Sequence, residues 1–184
     1  QLAAQMALGE PVRALLDTKP GKVAAKRWDW VRKGAPVIIE VGGRDMDNGV
    51  VSLLRRDRLW NAAAKPDFSA PPVADAAGSI GTLLADIQRS LYDEARARRD
   101  GNIKRGLTTL DALETHFADG GPFPGWVEVQ WARPTGAALD RVVEQLKALK
   151  LTIRNVPRDG PAADGSCLFT GAPAVERIYI ARAY

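Results

Sequence analysis

The amino-acid sequence predicts an α/β protein, and three patterns within its 184 residues support this prediction. Residues 36–41 form a nearly continuous apolar run rich in β-branched side chains, which is typical of a strand buried on both faces. Residues 79–101 repeat apolar side chains at helical spacing, which indicates a long amphipathic helix. Residues 126–131 alternate apolar with polar side chains, as a half-buried strand does, and a helical pattern follows over 137–150.

Before the long helix, the residues around Leu2, Met6, Leu15 and Leu16 are predicted to form a first helix and a short strand, and a second helix and two further strands follow. A helical pattern covers residues 21–33, and Gly34 is well placed to end it because glycine readily adopts the left-handed conformation. The apolar strand 36–41 follows. Residues 47–49, Asp-Asn-Gly, are a strong signal for a tight turn, so we expect a returning strand over 50–54.

The long helix is predicted to close the first domain. Residues 61–78 are rich in Ala and Pro and predict a loop, after which Ser79 is a suitable N-cap. The helix then covers 79–101. We therefore place the first domain at residues 1–101 and a second domain at 102–184.

The second domain is predicted to be a small α/β unit. Its predicted elements, in chain order, are a helix over 109–118, the strand 126–131, the helix 137–150, a strand over 151–156, and closing strands around 167–169 and 177–182. A loop rich in Pro, Gly and Asp is predicted before the closing strands.

Composition narrows the classes of function. The net charge of +4 and the pI near 9.4 are compatible with a phosphate-rich partner. The single cysteine, Cys167, excludes an internal disulfide, and the single histidine, His116, lies in a helical pattern, so His-dependent hydrolytic and metal chemistries find little support. No apolar run reaches the roughly 18 residues of a membrane span. We expect a cytoplasmic protein, and the start at Gln1 rather than Met suggests a fragment.

A carboxylate near the end of the first apolar strand is the most informative polar residue. Glu40 would be costly there without a partner, and Arg44 and Asp45 follow within the next turn. Ligands of α/β sheets commonly bind beyond the carboxyl ends of strands. The sequence contains no P-loop, G-x-G-x-x-G, H-E-x-x-H or C-x-x-C motif that would indicate a different site.

Two interpretations of these residues remain open from their chemistry alone. The Watson–Crick edge of guanine offers two N–H donors to a carboxylate and a carbonyl to an arginine, so Glu40 with Arg44 suits an unpaired guanine. The alternative is a structural salt-bridge cluster formed by Glu40, Arg44, Asp45 and Arg56. Composition alone favours the cluster, because structural ion pairs are common.

Three segments of the chain match the sequence patterns of one protein family. Residues 26–36, KRWDWVRKGAP, resemble K-x-x-x-W-x-x-K-G-x-P. Residues 36–49, PVIIEVGGRDMDNG, resemble P-x-R-x-E-[LIV]-G-P-[KR]-D-L-x-x-G, and the strand after them ends in Arg-Arg-Asp. Residues 177–184, RIYIARAY, resemble R-[VI]-x-[FI]-A-[KR]-A-Y. In these segments the chain resembles the prolyl-tRNA synthetases of the archaeal/eukaryotic-like architecture.

This resemblance implies a fold and a set of site residues. The fold is a mixed-sheet anticodon-binding domain, truncated at its N-terminus, followed by a small α/β C-terminal domain. Glu40, Arg44 and Asp45 match positions where the family reads anticodon bases, and proline anticodons end in two guanines. Lys26 and Arg56 are further expected tRNA contacts.

The resemblance also implies an enzyme of which this chain is a non-catalytic part. The full-length protein would ligate proline to its tRNA, and a catalytic domain outside the fragment would bind the ATP and magnesium. The implied partners are proline tRNA, the catalytic domain of the same chain and a second copy in a homodimer. Tyr184 would point toward the active site of the full enzyme. The alternative is a free-standing anticodon-domain-like module that binds nucleic acid or protein without catalysis.

The chain departs from the family pattern at a zinc site and in the first strand. Many members hold zinc with four cysteines in the C-terminal domain, and the corresponding positions here are Ala132, Ala137, Cys167 and Thr170. One thiol does not supply the roughly four ligands of structural zinc, so we expect no zinc and no other metal in the chain. Ile38 stands where the family has a basic residue.

Overall fold

The computed structural model describes residues 2–119, 121, 123–158 and 160–182 of the chain. These residues form two compact units, which divide between Ala95 and Arg96. The sequence placed the boundary after residue 101, at the end of the long helix, whereas the structure divides within that helix. The predicted α/β class is confirmed. None of the helices in the described part of the chain is long and apolar enough to cross a membrane.

The first unit contains a short ribbon, three helices and a three-stranded sheet. After a 3-10 turn at Leu2–Ala4, its elements are β1 (Met6–Ala7), β2 (Glu10–Pro11), α1 (Val23–Arg32), β3 (Val37–Glu40), α2 (Gly43–Asn48), β4 (Ser52–Arg55), a 3-10 turn at Arg56–Arg58, β5 (Phe68–Ser69) and α3 (Val73–Gly101). The sheet order is β3-β4-β5, and both pairs are antiparallel.

The register of this sheet decides which side chains share a face. Glu40 lies opposite Ser52, and Ile38 lies opposite Leu54. Leu54 in turn lies opposite Phe68 of β5. Because side chains alternate along a strand, these five residues project from the same face. Leu54 is fully buried, whereas β3, predicted to be buried on both faces, is only half-buried along its length.

The tight turn predicted at residues 47–49 is the end of a helix in the structure. Helix α2 runs to Asn48, and Gly49 ends it in the left-handed conformation at a φ of 64°. The same Asn-Gly pair suits both structures, because hairpin turns and helix C-termini both favour a residue with positive φ.

The long helix begins at Val73 rather than at Ser79, so the predicted range 79–101 is too short. Residues 73–78 include three alanines, which are the strongest helix formers, and this outweighs the neighbouring prolines that suggested a loop. Ser79 lies inside α3, where its hydroxyl donates to the backbone carbonyl of Asp75 at 2.6 Å instead of capping a helix.

Asp17 holds the segment that precedes α1. Its carboxylate accepts hydrogen bonds from the Trp30 indole at 2.7 Å and from the Lys19 backbone amide at 3.0 Å. Lys26 Nζ lies 3.3 Å from the same carboxylate and donates to the backbone carbonyls of Asp17 and Lys19 at 2.8 and 2.9 Å. The pKa of Asp17 is lowered to about 2. The hydrogen bond from the Trp30 indole is the main cause, and the hydrogen bond from the Lys19 amide acts in the same direction.

We expect the Asp17→Asn variant to lose a pH-dependent part of the stability. The folded state favours the ionised carboxylate, so its contribution is present above the ordinary pKa of 3.8 and is lost as the pH falls toward 2. The native chain should therefore exceed the variant in urea midpoint near about pH 6, and the difference should shrink by about pH 2.5. An equal difference at both pH values would show that the charge of Asp17 contributes nothing.

The second unit is a four-stranded sheet with two helices. Its elements are β6 (Ile103–Lys104), α4 (Leu110–Asp119), β7 (Trp126–Trp131), α5 (Ala137–Ala148), β8 (Leu151–Asn155) and β9 (Glu176–Arg182). The sheet order is β6-β7-β9-β8, in which β6 and β7 are parallel and the other pairs are antiparallel. Among the described residues, the sheet of this second unit is therefore mixed. The sheet of the first unit, which was expected to be mixed, is antiparallel.

The core of the second unit is apolar and includes the lone cysteine. Its buried members are Leu113, Phe117, Val127, Val129, Trp131, Val142, Leu146, Leu151, Cys167, Ile178 and Ile180. The strand predicted at 167–169 is a tight turn instead, in which the Gly171 amide donates to the Cys167 carbonyl at 2.9 Å. Gly171 has a φ of 70°, a conformation that a continuing strand would not contain.

Candidate nucleic-acid interface

An ion pair between α1 and the end of β3 fixes the Glu40 carboxylate. Arg27 Nε donates to Glu40 Oε1 at 2.6 Å, and Arg27 Nη2 donates to Glu40 Oε2 at 2.9 Å. The side chains of Arg27 and Glu40 are only 14% and 20% exposed. The Arg27 guanidinium carbon also lies 4.7 Å from the centre of the Phe68 ring, a cation–π contact. The hydrogen bond to Glu40 is the main cause that raises the pKa of Arg27.

The pair leaves Glu40 able to accept further hydrogen bonds. A carboxylate offers roughly four lone-pair positions, and a bidentate arginine occupies two of them. Because Arg27 takes the lone pairs that converge between the two oxygens, the remaining two point outward in opposite directions, and each can accept N–H donors from a ligand on its own side. Because Arg27 already holds the carboxylate in one orientation, a ligand would not have to order it.

Asp45 is brought next to Glu40 through Ser52. The carboxylate of Asp45 accepts from the Gly42 amide at the start of α2 at 2.7 Å and from the Ser52 hydroxyl at 3.1 Å. Ser52 is the residue opposite Glu40 in the β3–β4 pair. Both oxygens of Asp45 thus have protein partners, and the residue caps α2 at the edge of the predicted site.

The salt-bridge cluster predicted as the alternative does not form among the described residues. Glu40 pairs with Arg27 rather than with Arg44 or Arg56. Arg44 is exposed on α2, where its backbone carbonyl accepts from the Asn48 side chain at 2.8 Å. Arg56 is exposed in the turn after β4. The structure therefore brings together Glu40 and Asp45, and leaves the two arginines facing solvent.

Two further predicted residues are placed differently. Lys26 is occupied by the Asp17 segment, since its ammonium donates to two backbone carbonyls there and is half-buried. Its expected tRNA contact stays a prediction. Tyr184, expected to point toward an active site, lies outside the described residues.

The positions that correspond to the family's zinc ligands do not fit a metal. Ala132 and Ala137 carry no ligating atom, and Cys167 is buried at 2% exposure. Burial raises the pKa of the Cys167 thiol, but hydrogen bonds from the Thr170 hydroxyl and from nearby backbone amides outweigh burial and lower it. Within the described ranges, no three His, Cys, Asp or Glu side chains converge as metal ligands would.

Comparison with known proteins identifies the relatives of the chain. Residues 2–62 match the family model of an anticodon binding domain. The chain is 59% identical over 185 residues to a proline–tRNA ligase of Erythrobacter litoralis, with all of this chain and 36% of that protein covered. A proline–tRNA ligase of Novosphingobium aromaticivorans is 59% identical over 176 residues, which cover 96% of this chain and 34% of that protein. The chain thus spans about one third of the length of these relatives.

Solved structures share the fold. A prolyl-tRNA synthetase from Cryptosporidium parvum, complexed with L-proline and AMP, matches with a TM-score of 0.72 at 22% identity, over 94% of this chain and 34% of that one. The prolyl-tRNA synthetase of Giardia lamblia, in complex with prolyl-adenylate, matches with a TM-score of 0.69 at 22% identity, over 89% of this chain and 33% of that one.

Proposed function

The chain belongs to the prolyl-tRNA synthetase family, and from this premise we propose that it is the tRNA anticodon-recognition region of a proline–tRNA ligase. The observation that carries the proposal is the Glu40 carboxylate, which Arg27 fixes at the end of β3. Both residues lie within the segment that matches an anticodon-binding domain. The relatives are proline–tRNA ligases, so the reaction proposed for the whole enzyme is the joining of proline to its tRNA.

The geometry of Glu40 suits the Watson–Crick edge of an unpaired guanine. Guanine presents its N1–H and its 2-amino group side by side, so both can donate to one Glu40 oxygen through the lone pair that this oxygen directs away from Arg27. Arg44 is exposed and cationic, so it is available to the guanine carbonyl or to a phosphate. Asp45 supports the site from its place beside Ser52 rather than as a free acceptor.

The rest of the ligase reaction belongs to the same proposal. ATP, magnesium and proline would be bound by the catalytic domain of the enzyme, which would be one partner of this region. Proline tRNA and a second copy in a homodimer are the other partners, and the cytoplasm is the location. We assign no catalytic residue and no metal to this chain.

Binding of the chain to RNA hairpins with the proline anticodon loop tests the proposal. We expect the dissociation constant to rise about tenfold when the two anticodon guanines become adenines, because adenine lacks the N1–H donor. Inosine, which lacks only the 2-amino group, should give an intermediate loss. Fluorescence anisotropy with labelled hairpins measures all three affinities. Equal affinity for the guanine, inosine and adenine hairpins would overturn the proposal.

A further inference from the structure

Two tryptophans of the first unit form a stacked pair, in which Trp28 is half-buried and Trp60 is exposed to solvent. The rings of Trp28, on α1, and Trp60, after the 3-10 turn, lie 5.1 Å apart at an interplanar angle of 23°. Trp60 is nevertheless 56% exposed. A large apolar ring that is held in place and exposed is informative, because burial is the usual position for such a side chain.

The loop that carries Trp60 is fixed by its own hydrogen bonds. Trp60 pairs with Pro66 in an isolated bridge. Between them, the Asn61 side chain accepts from the amides of Ala63 at 3.0 Å and Lys65 at 3.2 Å, and the Asn61 amide donates to the Lys65 carbonyl at 2.9 Å. The indole of Trp60 is therefore positioned before any ligand arrives.

The stretch around Trp60 is cationic at its surface. Its exposed basic side chains are Arg56, Arg58 and Lys65. Of its two acidic residues, Asp57 is only 2% exposed and pairs with Arg55 at 2.8 Å, so Asp67 is the exposed one. Three exposed cations against one exposed anion complement a phosphate backbone.

We propose that the Trp28–Trp60 pair is a stacking platform for one unpaired base of an RNA partner, with the flanking cations contacting the neighbouring phosphates. This inference rests on the proposed function, because the base that stacks on the platform is taken to belong to the anticodon loop of the tRNA. Aromatic faces combined with cations are the chemistry by which proteins bind single-stranded nucleic acid, and every base offers a π-face. The platform therefore contributes affinity without reading sequence, whereas Glu40 reads guanine.

Binding of the proline anticodon hairpin to the chain and to its tryptophan variants tests this inference. We expect Trp60→Ala to raise the dissociation constant at least about fivefold for the guanine and the adenine hairpin alike, and Trp60→Phe to restore part of the loss. Trp126→Ala is the matched control, since Trp126 is a 42% exposed tryptophan that packs on Tyr179 in the second unit. This control should leave both affinities unchanged. A hairpin whose stem is closed by a short loop without the anticodon should bind the native chain and Trp60→Ala equally.

The outcomes separate this inference from the proposed function. If the native chain prefers guanine but Trp60→Ala binds as tightly as the native chain, the platform is wrong and the anticodon role stands. A loss confined to the guanine hairpin would also contradict a sequence-independent platform. If Trp60→Ala lowers the melting temperature and the folded Trp60→Leu variant, which has no aromatic face, binds as tightly as the native chain, the pair serves packing alone. Failure of the native chain to bind any loop overturns both proposals.

Discussion

Glu40→Gln is expected to abolish the roughly tenfold preference for guanine over adenine hairpins, because the charged acceptor of the two guanine donors is lost. Glutamine has almost the same size but is neutral, and its amide nitrogen is a donor that faces the donors of guanine. It also keeps only one of the two acceptors that bind Arg27 at 2.6 and 2.9 Å. The measurement is the ratio of dissociation constants for the guanine and adenine hairpins.

A second carboxylate–arginine pair provides the control for Glu40. Glu176 of β9 accepts from Arg133 through both oxygens, at 2.7 and 2.6 Å, and its side chain is 12% exposed. Glu176→Gln therefore removes the same charge from the same kind of pair in the other unit, and it should leave the guanine preference unchanged. If Glu40→Gln lowers the melting temperature but keeps the native preference, Glu40 is a structural ion pair and the anticodon role fails.

The position of Glu40 could be predicted from the sequence, but its partner could not. A carboxylate at the end of an apolar strand requires a cation, and this requirement follows from the cost of burying charge. The sequence offers several cations nearby, and Arg44 is the nearest along the chain. Arg27, 13 residues away, becomes the partner because α1 and β3 pack together, and this contact carries no local signal.

Ile38 marks a difference from the resembling family on the strand that carries Glu40. The resembling family has a basic residue at this strand position, and Ile38 shares a sheet face with Glu40. In this chain the cation that reaches Glu40 comes from the helix instead. The sequence showed the departure at Ile38, but only the structure shows that Arg27 supplies a positive charge to the same face.

Local patterns predicted the existence of elements better than their ends. The strand 126–131 has the predicted bounds, but the prediction that it is half-buried is wrong, because Val127, Glu128 and Val129 are all buried. The buried Glu128 carboxylate is paired with Arg177 at 3.1 Å, so a polar side chain in the alternating pattern did not mark an exposed face. The start of α3 was wrong because alanine and proline occur together in residues 61–78, and only the second part of that stretch is helical. No linker signal marks the division at Ala95, since a continuous helix passes through it.

Arg27→Gln is expected to lower both the stability and the guanine preference. Removing the cation leaves a half-buried carboxylate with one neutral partner, which costs about 2 kcal/mol of unfolding free energy by the usual worth of a charged hydrogen bond. The freed Glu40 side chain then samples several rotamers, so its acceptors are no longer fixed for a base. Urea denaturation and the two hairpin affinities measure the two effects.

The double variant Arg27→Gln/Glu40→Gln distinguishes holding Glu40 from contacting RNA directly. If Arg27 acts only by positioning Glu40, it affects guanine preference only while Glu40 is a carboxylate. The double variant should then show the same preference as Glu40→Gln, while its stability loss falls short of the sum of the two single losses by about 0.5–3 kcal/mol. Additive losses in guanine preference would instead mean that Arg27 contacts the RNA itself. Additive losses in stability would mean that the Arg27–Glu40 pair contributes nothing to the fold, and the fixed carboxylate on which anticodon reading depends would lose its support.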